Sequence, residues 1–278
     1  MRLRFLARLK IFIIIIATLV IKEIKLKSRY KAKFLFSVVA PFSTFIVPLL
    51  VFRTLFSSID EGAFGIWTPE NYIIFILSGI FIVALVNLLP TYGKSILREK
   101  YWKTLPGIFL SPINIYNLLL SKLISELIIF IIPIGLIFIL CFIIAEASLL
   151  TILLVMIIYF LASILFASIG LAIGAFRMSK EGNYQIFFLI VNLLLVFSCY
   201  KYPKEFFPEY LEIFIIWNPF YYYWDLIRLM LVFGSENIIF NPKYTFHFII
   251  VISLSLIGPF LSVSFFDFVY KRYGLVGY

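Results

Sequence analysis

The chain is poor in the residues that do chemistry in water. It holds one histidine, His247, and two cysteines, Cys141 and Cys199. Metal ions are held by sets of ligands at short spacing, so these three support neither a metal centre nor a redox pair. Both cysteines lie in apolar runs and read as small hydrophobes. No Ser/His/Asp set can be drawn around a single histidine at the end of an apolar run. Glu126, Glu146 and Asp267 all fall near the ends of such runs, so no buried carboxylate pair suggests a proton relay. The tetrapeptide "YGKS" at 92–95 looks like the end of a phosphate-binding loop. That loop needs a glycine five residues before Gly93, where Leu88 stands. The chain therefore reads as no enzyme, with no cofactor and no nucleotide site of its own.

Charge is scarce as well. Asp, Glu, Lys and Arg make up 14% of the 278 residues, against roughly 25% in soluble domains. Hydrophobic residues make up 63%. A soluble fold of this size could not hide so much apolar surface, so the surrounding solvent is lipid. Only helices and closed barrels satisfy every backbone group there. A barrel strand alternates polar and apolar residues over about ten positions, and this chain has continuous apolar runs instead. The expected class is an all-α integral membrane protein.

Runs long enough to cross a bilayer are 34–52, 72–89, 123–145, 149–176, 184–200 and 244–269. That predicts six crossings. A tight hairpin at Glu146 joins the third and fourth. The run Ile11–Ile21 has 11 residues between Lys10 and Lys22, about 16 Å as a helix and half of what a crossing needs. It reads as the apolar part of a helix lying on the membrane surface, with an inserted signal anchor as the alternative. The domain division is thus an interfacial helix at 1–33 and a six-helix domain at 34–278.

Lysine and arginine number 24 and give a net charge of +10. Ten precede Phe34 and five lie in 93–122, while 57–71 and 146–148 hold none. Basic residues collect on the cytoplasmic side of membrane proteins, so both termini and segment 93–122 are expected there. No nucleic-acid-binding motif accompanies the charge.

Segment 93–122 contains "REKYWKTLPGIFLSPI" at 98–113. Its Trp102, Leu105, Ile108, Phe109 and Leu110 suit either a sticky helix face for a partner or a helix in the lipid interface, and composition leaves both open. On the opposite side, 201–243 contains "NPFYYYWDLIRLMLVFG". Asn218 is a good N-cap, Pro219 suits the first helical position and Gly234 suits the stop. The 15 residues between are too short for a crossing, which predicts a re-entrant or interfacial helix pair, with Asp225 and Arg228 spaced to pair. Gly170 and Gly174, four apart, allow close helix packing.

At this point the sequence resembles the membrane-spanning subunits of ABC-2 type exporters. "EKYWKTLPGIFLSPINIYNLLLSK" is similar to the family's segment between its second and third crossings, with Lys103 and Pro106 standing where the family has Gly and Glu. "FPEYLEIFIIWNPFYYYWDLIR" resembles the family's Asn-Pro segment, with Asn218, Pro219, Tyr222, Asp225 and Arg228 in place. "IKEIKLKSRYKAKFLFSVVAPFSTFIVPLLVF" resembles its basic surface helix and proline-bearing first crossing.

The resemblance implies a homodimeric permease in the plasma membrane, coupled to cytoplasmic ABC ATPase subunits that bind ATP and Mg. It implies that Glu99, Trp102, Thr104, Leu105, Pro106, Phe109, Leu110, Ser111 and Pro112 belong to the coupling segment. It implies that the Asn-Pro residues close the outer exit. The cargo it suggests is amphipathic or lipid-linked: a lipo-oligosaccharide, a polysaccharide-lipid or a hydrophobic drug. A scaffold or channel without an ATPase, or a membrane enzyme acting on lipids, are the other classes considered.

Overall fold

A computed structural model describes residues 2–29, 46–58, 65–68, 71–86, 145–179 and 184–273, with scattered single positions between 31 and 143. Among the described residues the secondary structure is helical, with no strand. The helices of more than one turn are α1 (Arg2–Ser28), α2 (Ile46–Ser58), α3 (Tyr72–Val86), α4 (Leu149–Ser179), α5 (Tyr184–Val196), α6 (Glu212–Ile216), α7 (Pro219–Phe233), α8 (Ser235–Ile239) and α9 (Thr245–Tyr273).

Among the described residues, two stretches are long and apolar enough to cross a membrane, Leu149–Arg177 and Pro242–Val269. They belong to α4 and α9, which form the most extensive helix pair among the described residues. At Gly258 of α9 the two pack tightly: a Cβ there would stand 3.1 Å from Leu165 Cδ1. Ser255 Oγ donates to the Leu161 carbonyl at 3.0 Å across the same contact. The third expected crossing, 123–145, lies almost wholly outside the described residues.

Helix α5 ends at Val196, four residues before the end of its apolar run. The cause is local. Cys199 takes φ 58, the left-handed conformation that stops helices, after Phe197 and Ser198 close the last turn through Leu193 and Leu195 carbonyls at 3.1 Å each. Glu146, the residue of the expected hairpin, also lies in the left-handed region, at φ 47.

Helix α7 packs against α3, α4 and α9. Ten of its 15 residues are buried, and Tyr223 and Trp224 are wholly enclosed. A helix buried over most of its surface is a core helix, and this one packs among α3, α4 and α9. The helix α1 behaves differently: Ile16, Val20 and Glu23 form one buried stripe, while Ile11, Ile13, Ile14 and Ile21 remain exposed.

Candidate functional site

Two polar centres stand out among the described residues, one around α7 and one between α1 and segment 93–122. The first gathers around α7. Local sequence sets the helix: Asn218 Oδ1 accepts from the Phe220 N–H at 3.0 Å, Pro219 occupies the first position and Gly234, φ 81, ends it. The same Asn218 uses its Nδ2 to donate to the Leu194 carbonyl in the last turn of α5. The Tyr222 hydroxyl donates to the Ile216 carbonyl at 2.6 Å, which ties in α6. Trp224 Nε1 donates to Ser198 Oγ at 3.0 Å. The motif thus ties α7 to the end of α5 through Asn218 and Trp224 and to α6 through Tyr222.

Arg228 is the charged member of this set and is 4% exposed. Its guanidinium donates to the Cys199 carbonyl at 2.6 Å, the Tyr200 carbonyl at 2.8 Å and Ser78 Oγ at 3.3 Å. It also lies 3.7 Å above the centre of the Phe75 ring. A buried cation needs compensation. Here the carbonyls beyond the C-terminal end of α5, the negative pole of that helix, and the Phe75 π-face supply it.

The expected Asp225–Arg228 pair does not form. Asp225 Oδ2 instead meets His247 Nε2 on α9 at 3.1 Å. The spacing allowed the pair, but Arg228 is drawn inward by free carbonyls that lie far away in sequence. The lone His247, read as an interfacial residue, is held by that carboxylate and flanked by the rings of Tyr222 and Tyr244 at 4.9 and 5.6 Å. Nearby, burial pushes the Glu205 carboxyl above its ordinary range, and its Oε2 finds no partner.

The second centre joins α1 to segment 93–122. Glu23, 3% exposed, accepts from Lys122 Nζ at 2.9 Å and from an Arg98 guanidinium nitrogen at 2.6 Å. Glu99, fully buried, accepts from Lys22 Nζ at 2.8 Å and lies 3.8 Å from Lys122 Nζ. Burial alone would raise the Glu23 carboxyl. The Lys122 ammonium and the Arg98 guanidinium outweigh it and hold the group below its ordinary value.

Sequence reasoning counted these lysines and arginines as solvated flanks and missed the network. The signal was present: each glutamate stands alone in a basic run, "IKEIK" and "REK".

The residues expected to couple to an ATPase thus divide. Glu99 faces inward onto α1. Trp102 and Leu110 face outward, at 53% and 89% exposure, with Arg98 stacked 5.2 Å from the Trp102 ring. Lys103 between them has φ 53. Thr104, Leu105, Pro106, Phe109, Ser111 and Pro112 lie outside the described residues. At the start of this segment, Gly93 meets the two glycines of α4. A Cβ on it would stand 3.6 Å from the Gly170 carbonyl and 3.5 Å from the Gly174 amide nitrogen. The small-residue stripe therefore packs within the chain at this point. Among the described residues, no group of three or more His, Cys, Asp or Glu could hold a metal.

An apolar helical bundle whose polar side chains fasten helices to one another fits the membrane component of a transporter. The chain belongs to the ABC-2 family transporter proteins: the model of that family matches residues 32–265. Membership implies, in general, an ABC ATPase as partner. No individual curated protein matches the chain.

Proposed function

We propose that the chain is the permease half of an ABC exporter that moves an amphipathic or lipid-linked compound out of the cytoplasm or the inner leaflet. Two copies pair in the plasma membrane, each with six crossings and both termini in the cytoplasm. Segment 93–122 receives the ATPase, and 201–243 closes the outer end as a re-entrant pair. ATP closes the ATPase subunits, which bind the nucleotide and its Mg. Their motion displaces the surface around Trp102 and Leu110, and rearrangement of the first, second and fifth crossings opens an outward path.

The observation that carries this reading is the two-sided character of 98–110 in a chain of this family. Glu99 is locked inward onto α1, while Trp102 and Leu110 present apolar surface outward. The inward side gives the segment a rigid backing, and the outward side gives a partner something to grip. The test is to co-express the permease with the cell's candidate ABC ATPase and compare Leu110→Asp and Trp102→Asp with wild type. The reading expects co-purification and permease-dependent ATP hydrolysis to fall together. Unchanged binding and hydrolysis in both variants would rule it out.

A further inference from the structure

Helix α1 has two faces, one of which is turned into the chain. That inward stripe, Ile16, Val20 and Glu23, is buried. Ile11, Ile14, Thr18 and Ile21 recur at helical spacing on the opposite side and are exposed, Ile14 at 53% and Ile21 at 52%. Lys10 precedes this stripe, Arg29 and Lys31 follow it, and all three are exposed. We propose that this face docks on an anionic lipid bilayer, and that lipid charge as well as apolar insertion holds it there. The proposal needs the membrane setting of the family and not the exporter reading above.

Charge selects this occupant first. Helix α1 carries seven Lys and Arg and one acid, Glu23. Glu23 is turned inward and neutralised by Lys122 and Arg98, at 2.9 and 2.6 Å. The exposed face therefore keeps its cations, while the one carboxylate that would repel anionic headgroups is withdrawn from it. Basic side chains beside a membrane are drawn to such headgroups. Polar satisfaction agrees. Thr18 is the one polar residue within 11–21, and its hydroxyl donates to the Ile14 carbonyl at 2.8 Å. It can enter the lipid boundary without an orphaned donor. A second copy fits this face poorly, because basic residues would meet basic residues with no carboxylate between them. A crossing fits no better, since 11–21 spans about 16 Å as a helix.

The two faces act in series. Inward, Lys22 and Glu23 grip Glu99, Arg98 and Lys122. Outward, the same helix rests on lipid. An anionic bilayer thereby sets the height at which α1 holds segment 93–122, and with it the exposed Trp102 and Leu110.

The experiment places the full-length chain in nanodiscs of phosphatidylcholine alone or of phosphatidylcholine mixed equally with phosphatidylglycerol. Hydrogen exchange is followed over 11–25. Each basic residue near an anionic surface contributes about a fivefold preference. Wild type should therefore be at least about tenfold more protected in the mixed discs, and should lose the difference in about 0.5 M salt. The triple variant Lys10→Gln, Arg29→Gln, Lys31→Gln should exchange equally in both discs. The charge-keeping triple Lys10→Arg, Arg29→Lys, Lys31→Arg should retain the difference. Exchange over 219–233, in the core, should be the same throughout and controls for folding. The wild-type lipid and salt comparison stands without any variant. Protection that ignores lipid charge and salt overturns the proposal and assigns 11–21 to insertion. Protection found only in discs that hold two copies overturns it and assigns the face to a second copy. A lipid difference that survives in the glutamine triple overturns it as well. The measurement needs neither ATPase nor cargo, so its failure leaves the exporter reading untouched.

Discussion

Glu23 and Lys122 stand 99 positions apart in the chain and 2.9 Å apart in space, both almost wholly buried. This one contact fixes the N-terminal helix to the far end of segment 93–122. Arg98 and Glu99 add to it from the segment's near half. Removing one partner of a buried ion pair leaves a charge without compensation, which costs about 3–5 kcal/mol. Glu23→Gln is therefore expected to lower the thermal midpoint of the purified permease markedly. The double variant Glu23→Gln, Lys122→Met should recover part of the loss, because it also removes the buried ammonium that Glu99, at 3.8 Å, compensates less closely than Glu23. A double variant as unstable as the sum of the single ones would show that the two residues are not energetically coupled.

The same network gives a pH dependence with a definite sign. The Glu23 carboxyl sits below its ordinary value of 4.5. A group lowered in the folded state contributes stability that is fully present above its unfolded value and disappears as pH falls through the folded one. The attachment of α1 should thus be intact at neutral pH and fail below about pH 4.5. Proteolysis of the 2–29 region across an acid titration reads this directly. Glu23→Gln should be susceptible already at neutral pH.

Lys103 holds φ 53, a left-handed conformation that suits glycine. The family resemblance places a glycine at this position, and the backbone supplies the physical reason. Lys103→Gly relieves roughly 1–2 kcal/mol of steric cost and gives back about 0.5–1 kcal/mol as unfolded-chain entropy. A net gain of up to about 1.5 kcal/mol is expected, measurable as a raised thermal midpoint. A loss of stability would mean that the Lys103 side chain makes a contact worth more than the strain.

Asn218 uses both ends of its amide, and two substitutions separate them. Asn218→Asp keeps the acceptor for the Phe220 N–H but turns a carboxylate towards the Leu194 carbonyl. Asn218→Ser keeps the capping oxygen and leaves the Leu194 carbonyl without its donor. If α7 needed only a cap, both would be nearly neutral, since these residues cap about equally well. The structure instead predicts that both destabilise, Asp more than Ser, by about 1–3 kcal/mol for an unpaired buried carbonyl. Thermal unfolding of the two variants side by side distinguishes the cases.

Arg228→Lys tests whether charge or shape matters at the end of α5. A lysine supplies one compact ammonium, while arginine supplies a planar fork of donors. Two carbonyls, one hydroxyl and one aromatic ring are met at once here. The lysine variant is expected to lose at least one of these bonds, at about 1–3 kcal/mol each. Exchange protection at 197–200 should fall with it. Wild-type protection in the lysine variant would show that a point charge suffices.

What the sequence made legible was local. The range Pro219–Phe233 can be read to the residue because a cap, a proline and a terminal glycine bracket it within 17 positions. Apolar runs located the long helices α4 and α9 for the same reason. What stayed hidden depends on distant partners. The end of α5 looks apolar through Tyr200, and only the left-handed turn at Cys199, with Arg228 collecting the carbonyls beyond it, shortens the helix. The i,i+3 spacing of Asp225 and Arg228 suggested a mutual pair, yet three acceptors from elsewhere outcompete one neighbour. The Gly93 of "YGKS" looked like a fragment of a nucleotide motif. Its role became visible only when α4 brought Gly170 and Gly174 against it.

On the proposed reading, in which segment 93–122 receives an ATPase, those glycines bear on how the segment would transmit force. At its first residue, backbone meets backbone across Gly93, Gly170 and Gly174, with no side-chain ridges to interlock. Turning at that point disturbs little packing. At its last residue, Lys122 is chained to α1 by paired charges that resist separation. The segment is therefore built like a door: a smooth pintle at one edge, a bolt at the other, and a handle of exposed Trp102 and Leu110 between them.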